Sequence, residues 1–397
     1  MPKLQKLSSI VSDPQTFILA YGGWYQRTTL HLSEIYEFLA KGSTYLDLDK
    51  DKVRELWKRL GVVKVTRELG YLEYILVTTR QHITIKYYED GLYVLSTQTD
   101  NVEHAQQELD EFFQSKFNPA ISYIFSLGAP TPKVLANIKT VHPTAILAYD
   151  NVSLPACVTN IYSTIASNGV TVVKAKDYIF ILVNSVDRKI AEGLMEMQIF
   201  FREFKDQLER YLNIHRKIWE EIADIRERKS IRVKELSALR NKLDSYQKTI
   251  NLISNRINQM SSYVRTRKSI AQQIGVDQNL VSLFQYRFEA LMDTLDYIKE
   301  IWKMTSDYVV SAIQVIVEAQ SAVTNRSIQS LTLITSVGVI AGLVVHLARD
   351  SFPKITPTGL VYLVILLILG WCINTVVQKA ALNKKQTLKF MDLDSKL

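Results

Sequence analysis

Ile328-Gln-Ser-Leu-Thr-Leu-Ile-Thr-Ser-Val-Gly-Val-Ile-Ala-Gly-Leu-Val-Val-His-Leu347 is the stretch on which the reading of this chain turns. A second apolar run, Leu360 to Val377, follows a short link that contains Pro353, Pro357 and Gly359. Each run is about twenty residues, the length a helix needs to cross a bilayer core. Two such runs joined so tightly predict a transmembrane hairpin, with both flanking segments on one side. The tail beyond it carries Lys379, Lys384, Lys385 and Lys389, and Arg326 precedes it, whereas the link holds Arg349 and Lys354 beside Asp350. That bias predicts a multi-pass protein of the cell (inner) membrane with both termini cytoplasmic.

Working outward, the 397 residues carry a formal net charge of +8. A basic balance suits the vicinity of anionic lipid. It also suits nucleic acid, but no ribonucleoprotein or zinc-finger spacing is present, and no nucleic-acid polymer is expected as a partner. Cys157 and Cys372 are the two cysteines, which excludes a disulfide framework and a cysteine metal site. No apolar segment follows the N-terminal Met1-Pro-Lys-Leu-Gln-Lys, so no signal peptide is expected.

Residues 1–186 read as an α/β domain. Stretches rich in Ile, Val, Tyr and Thr predict strands at 16–21, 74–79, 83–88, 92–97, 121–127, 145–149, 170–174 and 178–183. Helical patterns fall at 32–40, 51–60, 102–117 and 154–167, and Glu89-Asp90-Gly91 reads as a hairpin turn. The pair Gly22-Gly23 reads as a turn after the first strand. Thr16-Phe-Ile-Leu-Ala-Tyr21 is echoed by Thr144-Ala-Ile-Leu-Ala-Tyr149, and Phe112-Phe113 by Phe200-Phe201. Duplicated half-domains account for the echo; chance similarity among apolar strands is the alternative.

Residues 187–327 predict a long helical stalk. Neither Gly nor Pro occurs from Leu194 to Ile274, and Gly275 is the expected break. Leu236, Leu239, Leu243, Tyr246, Ile250, Ile253, Ile257, Met260 and Val264 step by threes and fours, the mark of a coiled-coil-like seam. An oligomer or an antiparallel bundle within one chain satisfies that pattern equally. The fold class expected is therefore an N-terminal α/β domain, long stalk helices, a two-helix membrane hairpin over 328–378 and a basic tail over 379–397.

On a helical wheel Ile328, Thr332, Thr335, Val339, Gly342 and His346 share one face of the first run. Helix packing is one explanation, since Gly338 and Gly342 permit close approach. A pore-lining stripe is the other. Asn325-Arg-Ser-Ile-Gln-Ser-Leu331-Thr332 resembles the start of the pore helix in the CorA family of divalent-cation channels. The resemblance implies a homopentamer whose first span lines a pore from Asn325 to His346, with Mg²⁺ as substrate and regulator. It covers about the last 120 residues of this sequence. The family's Gly-Met-Asn triplet is missing: Arg349-Asp350-Ser351, followed by Phe352, occupies the pore mouth in the ungapped register. By analogy with the same family, Asp177, Asp187 and Glu192 are candidates for a regulatory metal site, with solvated surface carboxylates as the plainer reading.

No P-loop, dinucleotide fingerprint, HExxH or Gly-x-Ser-x-Gly motif occurs, so no enzyme is expected. Three functions follow from the sequence: a divalent-cation channel gated by its α/β domain, a membrane-anchored effector that senses a small molecule such as a nucleotide, and a structural tether.

Overall fold

In a computed structural model the described residues are 16–25, 31–125, 144–149, 152–184, 186–227 and 230–347, with Val361, Ile368, Trp371, Thr375 and 385–387 beyond them. The chain divides into two compact units, residues 1–212 with 255–299, and residues 213–254 with 300–397.

The first unit is built on a nine-stranded sheet. Its strands are β1 (Phe17–Trp24), β2 (Val62–Leu69), β3 (Glu73–Thr79), β4 (Thr84–Tyr88), β5 (Leu92–Thr99), β6 (Thr144–Tyr149), β7 (Ile161–Ser167), β8 (Val170–Ala175) and β9 (Tyr178–Val183). They lie in the order β2-β3-β4-β5-β1-β6-β9-β8-β7. Every pairing is antiparallel except β6 with β9. The order reads β3-β4-β5-β1 from one side and β7-β8-β9-β6 from the other, matching the echoed segments. The sense does not match, because β5 runs against β1 whereas β9 runs with β6.

Alternation within the strands fixes which side is greasy. Phe17, Leu19 and Tyr21, with Ile75, Val77, Ile85, Tyr87, Tyr93 and Leu95, point into one core. That core is completed by helices α1 (Leu32–Lys41), α2 (Lys50–Leu60), α3 (Val102–Phe112) and α4 (Asn118–Phe125), the last two joined by a π-helical turn, Phe113–Phe117. Asn101 caps α3, accepting a hydrogen bond from the His104 amide at 3.1 Å.

Three local expectations are corrected here. Residues 121–127 were read as a strand, but through Phe125 they belong to α4, because Ala120, Ile121 and Ile124 share one buried helical face. The helix expected over 154–167 gives way to β7 in its second half. Gly22 and Gly23 are not a turn; both lie inside β1.

The long helices are α5 (Arg188–Glu227), α6 (Val233–Gln273) and α7 (Phe288–Leu347), each with residues in both units. Glycine and proline did not mark the break between α5 and α6. In the second unit it is marked by a strand, β10 (Ser230–Arg232), paired antiparallel with β11 (Lys385–Thr387). The seam positions Leu236, Leu243, Ile250, Ile253, Ile257 and Met260 are buried within the single chain. Within the second unit Trp219 stacks on Tyr308 at 4.8 Å, and Trp302 and Val309 are buried.

The two transmembrane spans expected at Ile328–Leu347 and Leu360–Val377 are not found: among the described residues no helix is long and apolar enough to cross a membrane. Ile328–Leu347 forms the last turns of the 60-residue α7, with no boundary separating it from the polar stretch before it. Only Val361, Ile368, Trp371 and Thr375 of the second run fall among the described residues. The membrane, channel and inner-membrane expectations fall with the spans on which they rested.

Candidate functional site

Over β3, β4 and β5 the opposite face of the sheet differs from the core face. Register places Thr78 opposite Thr84 and Thr84 opposite Ser96, so three hydroxyls from β3, β4 and β5 form one cross-strand row. Ala20 of β1 continues it. The next row on the same face is Leu76, Lys86, Val94 and Gly22. All three hydroxyl side chains are half-buried, and no other described residue hydrogen-bonds to them.

Helix α5 crosses this face and sets the wall of a cleft above the row. Its start is fixed locally by Asp187, whose carboxylate accepts the Lys189 amide at 2.9 Å and whose carbonyl accepts those of Ile190 and Ala191. Gly22 decides how near the helix comes. A Cβ at that position would lie 2.6 Å from Ile199 of α5 and 2.9 Å from the Tyr93 carbonyl, so only glycine fits. The resulting cleft has a volume of about 360 Å³. Thr78, Thr84 and Ser96 line its floor, Gln98 and His82 its rim, and Arg188, Glu192, Met195 and Glu196 its wall. His82 holds a left-handed backbone, φ 58°, in the β3–β4 turn.

The wall is electrically balanced. The Lys86 ammonium donates to Glu196 at 2.9 Å and to Glu192 at 3.2 Å. Arg188 donates to Glu192 at 3.0 Å, one helical turn along. Tyr88 donates its phenol proton to the other Glu196 oxygen at 2.5 Å. Burial disfavours the Lys86 charge, but Glu196 and Glu192 outweigh that cost and hold its pKa above the ordinary lysine value. Burial and the Glu196 charge push Tyr88 well above the ordinary phenol value, so it stays a donor. Two cations face two carboxylates, and the hydroxyl row, Gln98 and His82 add neutral hydrogen-bonding groups to the cleft.

Behind the wall a fully buried ion pair ties the β4–β5 turn to α6. Arg267 grips Asp90 with two parallel bonds, of 2.7 and 2.8 Å, and its guanidinium lies 4.5 Å from the Tyr88 ring centre and 5.6 Å from that of Phe200. Asp90 also accepts the Leu92 amide at 3.1 Å, and its carbonyl accepts the Trp24 indole at 2.6 Å. Both Asp90 carboxylate oxygens and the Nε and Nη2 of Arg267 are thus engaged, as a buried charge pair requires.

The residues expected from sequence are dispersed. Asp177 is exposed in the β8–β9 turn, Asp187 is occupied as a cap and Glu192 is paired in the cleft wall. No group of three His, Cys, Asp or Glu among the described residues could hold a metal ion. Asn325, Ile328, Thr332, Thr335, Val339 and Gly342 are exposed on α7, and the hydroxyls of Thr332 and Thr335 donate to carbonyls of their own helix. His346 lies in the last turn of α7, its side chain outside the described residues. Arg349, Asp350, Ser351 and Phe352 also lie outside them. The hydroxyl row was missed because it comes from three separate strands. Its one trace in the sequence is a hydroxyl residue at an alternating position in each of 74–79, 83–88 and 92–97.

No protein-family model matches the chain, and no curated protein matches it significantly.

Proposed function

We propose that the chain is a small-molecule sensor whose first unit binds an uncharged, hydroxyl-rich ligand, of the nucleoside or sugar class, in the cleft between the sheet and α5. The observation that carries this reading is the cross-strand row Thr78, Thr84 and Ser96, three unengaged hydroxyls lying side by side on a covered face. A sheet face packed only for stability would carry apolar side chains there. The balanced wall argues against a highly charged ligand, which would have to break the Lys86 pairs to gain its own. A ligand with several hydroxyls both donates to and accepts from the floor and leaves those pairs intact. The cleft's volume suits such a molecule. Because α5 forms one wall, ligand binding bears directly on the helix start at Arg188.

Thermal unfolding of the full chain against a panel of nucleosides and sugars tests the reading. A ligand at one hundred times its Kd adds about 2.7 kcal/mol, a shift of several degrees. The shift is expected in the wild type and is expected to vanish in Ser96→Leu, which fills the floor. If no panel member shifts the wild type, or Ser96→Leu responds as the wild type does, the cleft is not the site.

A further inference from the structure

The two edges of the nine-stranded sheet are defended unequally. β2 and β7 lie at its ends, each paired with one strand only among the described residues. An open strand edge invites pairing with another chain, and charged side chains are a common defence. β2, Val62-Val-Lys-Val-Thr-Arg-Glu-Leu69, carries three charges, and its Arg67 donates to Glu73 of β3 at 2.9 Å. β7, Ile161-Tyr-Ser-Thr-Ile-Ala-Ser167, carries none. Beyond its ladder with β8, no backbone group of β7 bonds to another backbone group among the described residues. Ile161 is 47% exposed and Tyr162 65%, and Thr164 and Ala166 are exposed as well. The register with β8 shifts between Ile161 and Ser163 and is regular from Ser163 to Ser167.

We propose that β7 pairs antiparallel with β7 of a second copy of the chain, about a two-fold axis at Thr164, so that the two sheets join edge to edge. In that register Ile161 faces Ser167, Tyr162 faces Ala166, Ser163 faces Ile165 and Thr164 faces its own copy. Each large side chain meets a small one, and a Thr–Thr pair is among those that antiparallel strands favour. No like charges meet, because the strand has none. The other edge fails the same test: β2 turned on itself over its full length sets Lys64 opposite Arg67. It is this fit of β7 to itself that favours a second copy over an unrelated strand. The assembly stops at two copies, since the edges that it leaves open are the charged ones.

Sedimentation velocity of the full chain between ~1 and ~100 μM tests the pairing. The wild type is expected to double in mass as concentration rises. Thr164→Lys sets two ammonium groups face to face and is expected to weaken association about tenfold or more. Val63→Lys, on the exposed edge of β2, is expected to leave it unchanged. Cysteine cross-linking then reads the location, even where the long helices also associate. With Cys157 and Cys372 replaced by Ser, Thr164→Cys is expected to form a disulfide between two copies under mild oxidation, and Val63→Cys is not. Should Thr164→Lys fail to fold, the cross-link decides the matter. A wild type that stays monomeric to ~100 μM would overturn the proposal and leave the edge to a strand of another protein. Equal association in the two lysine variants, or cross-linking no faster at Thr164 than at Val63, would overturn it as well.

Discussion

Over β3, β4 and β5 the two faces of the nine-stranded sheet share one backbone and carry different chemistry. On the core face Ile75, Val77, Ile85, Tyr87, Tyr93 and Leu95 close against α1 to α4, and the contact is dispersion and water exclusion throughout. On the α5 face Trp24 packs on Phe200 and Phe204 and Gly22 lies against Ile199, and beside that apolar contact the same strands present Thr78, Thr84, Lys86 and Ser96, with paired charges and an open cleft. One residue along a strand separates the two. The lesson is that part of a sheet face can be left open where charge pairs take over from apolar packing beneath the covering helix, because paired side chains leave room between them.

The largest effect expected from breaking this arrangement is at the buried pair. Arg267→Met leaves Asp90 buried without its cation and is expected to cost about 3–5 kcal/mol in urea unfolding. Arg267→Met combined with Asp90→Asn is expected to recover part of that loss. Additive losses from the two substitutions would mean that the pair does not act as a unit.

Next in size is a test of the two faces at neighbouring positions on β5. Leu95→Ala empties a fully buried site and is expected to cost about 2–5 kcal/mol. Ser96→Ala, one residue along, is expected to change stability by less than about 0.5 kcal/mol and to weaken ligand binding instead. Similar losses of stability from both would show that the α5 face is ordinary packing.

The smallest effect lies in the second unit, where a neutral polar pair replaces the charged ones. Thr305 donates its proton to the Ile301 carbonyl, so its oxygen accepts from His215 Nδ1 at 2.7 Å. Burial, and then the Arg216 charge, hold the His215 pKa below its ordinary value of 6.5. The folded state therefore favours the neutral ring. Its contribution is complete above the unfolded pKa and is lost as pH falls through the folded one. Melting temperature is expected to fall as pH drops below 6.5 and to fall less in His215→Gln. An identical pH profile in the two proteins would rule out this origin.

Much of the first unit is legible in the sequence, and the physical reason is local. Alternating β-branched and aromatic residues mark β1, β3, β4, β5, β6, β8 and β9, and Glu89-Asp90-Gly91 marks the β4–β5 turn. Gly91 has φ 87°, and a Cβ there would meet the Tyr25 carbonyl at 1.9 Å. Where the reading failed, a distant contact decided. Gly22-Gly23 looks like any turn until α5 is seen against it. Residues 121–124 suit a strand by composition and form a helix because three of them complete the core beneath the sheet. Asp177, Asp187 and Glu192 are close in sequence, but each found a different use. Ile328–Leu347 reads as a separate span in the sequence and is the end of one continuous helix, Phe288–Leu347, in the structure.

By itself, then, the sequence determined most of the strands, the helical seam and the β4–β5 turn, since backbone preference and periodicity act over a few residues; β2 and β7 were not among them. Strand order, cross-strand register and helix placement came from the tertiary structure alone. The hydroxyl row, the Lys86 network and the Arg267–Asp90 pair, whose members lie 177 residues apart, depend on all three. No local pattern encodes them, because their energy exists only once distant segments have been brought together and water excluded from between them.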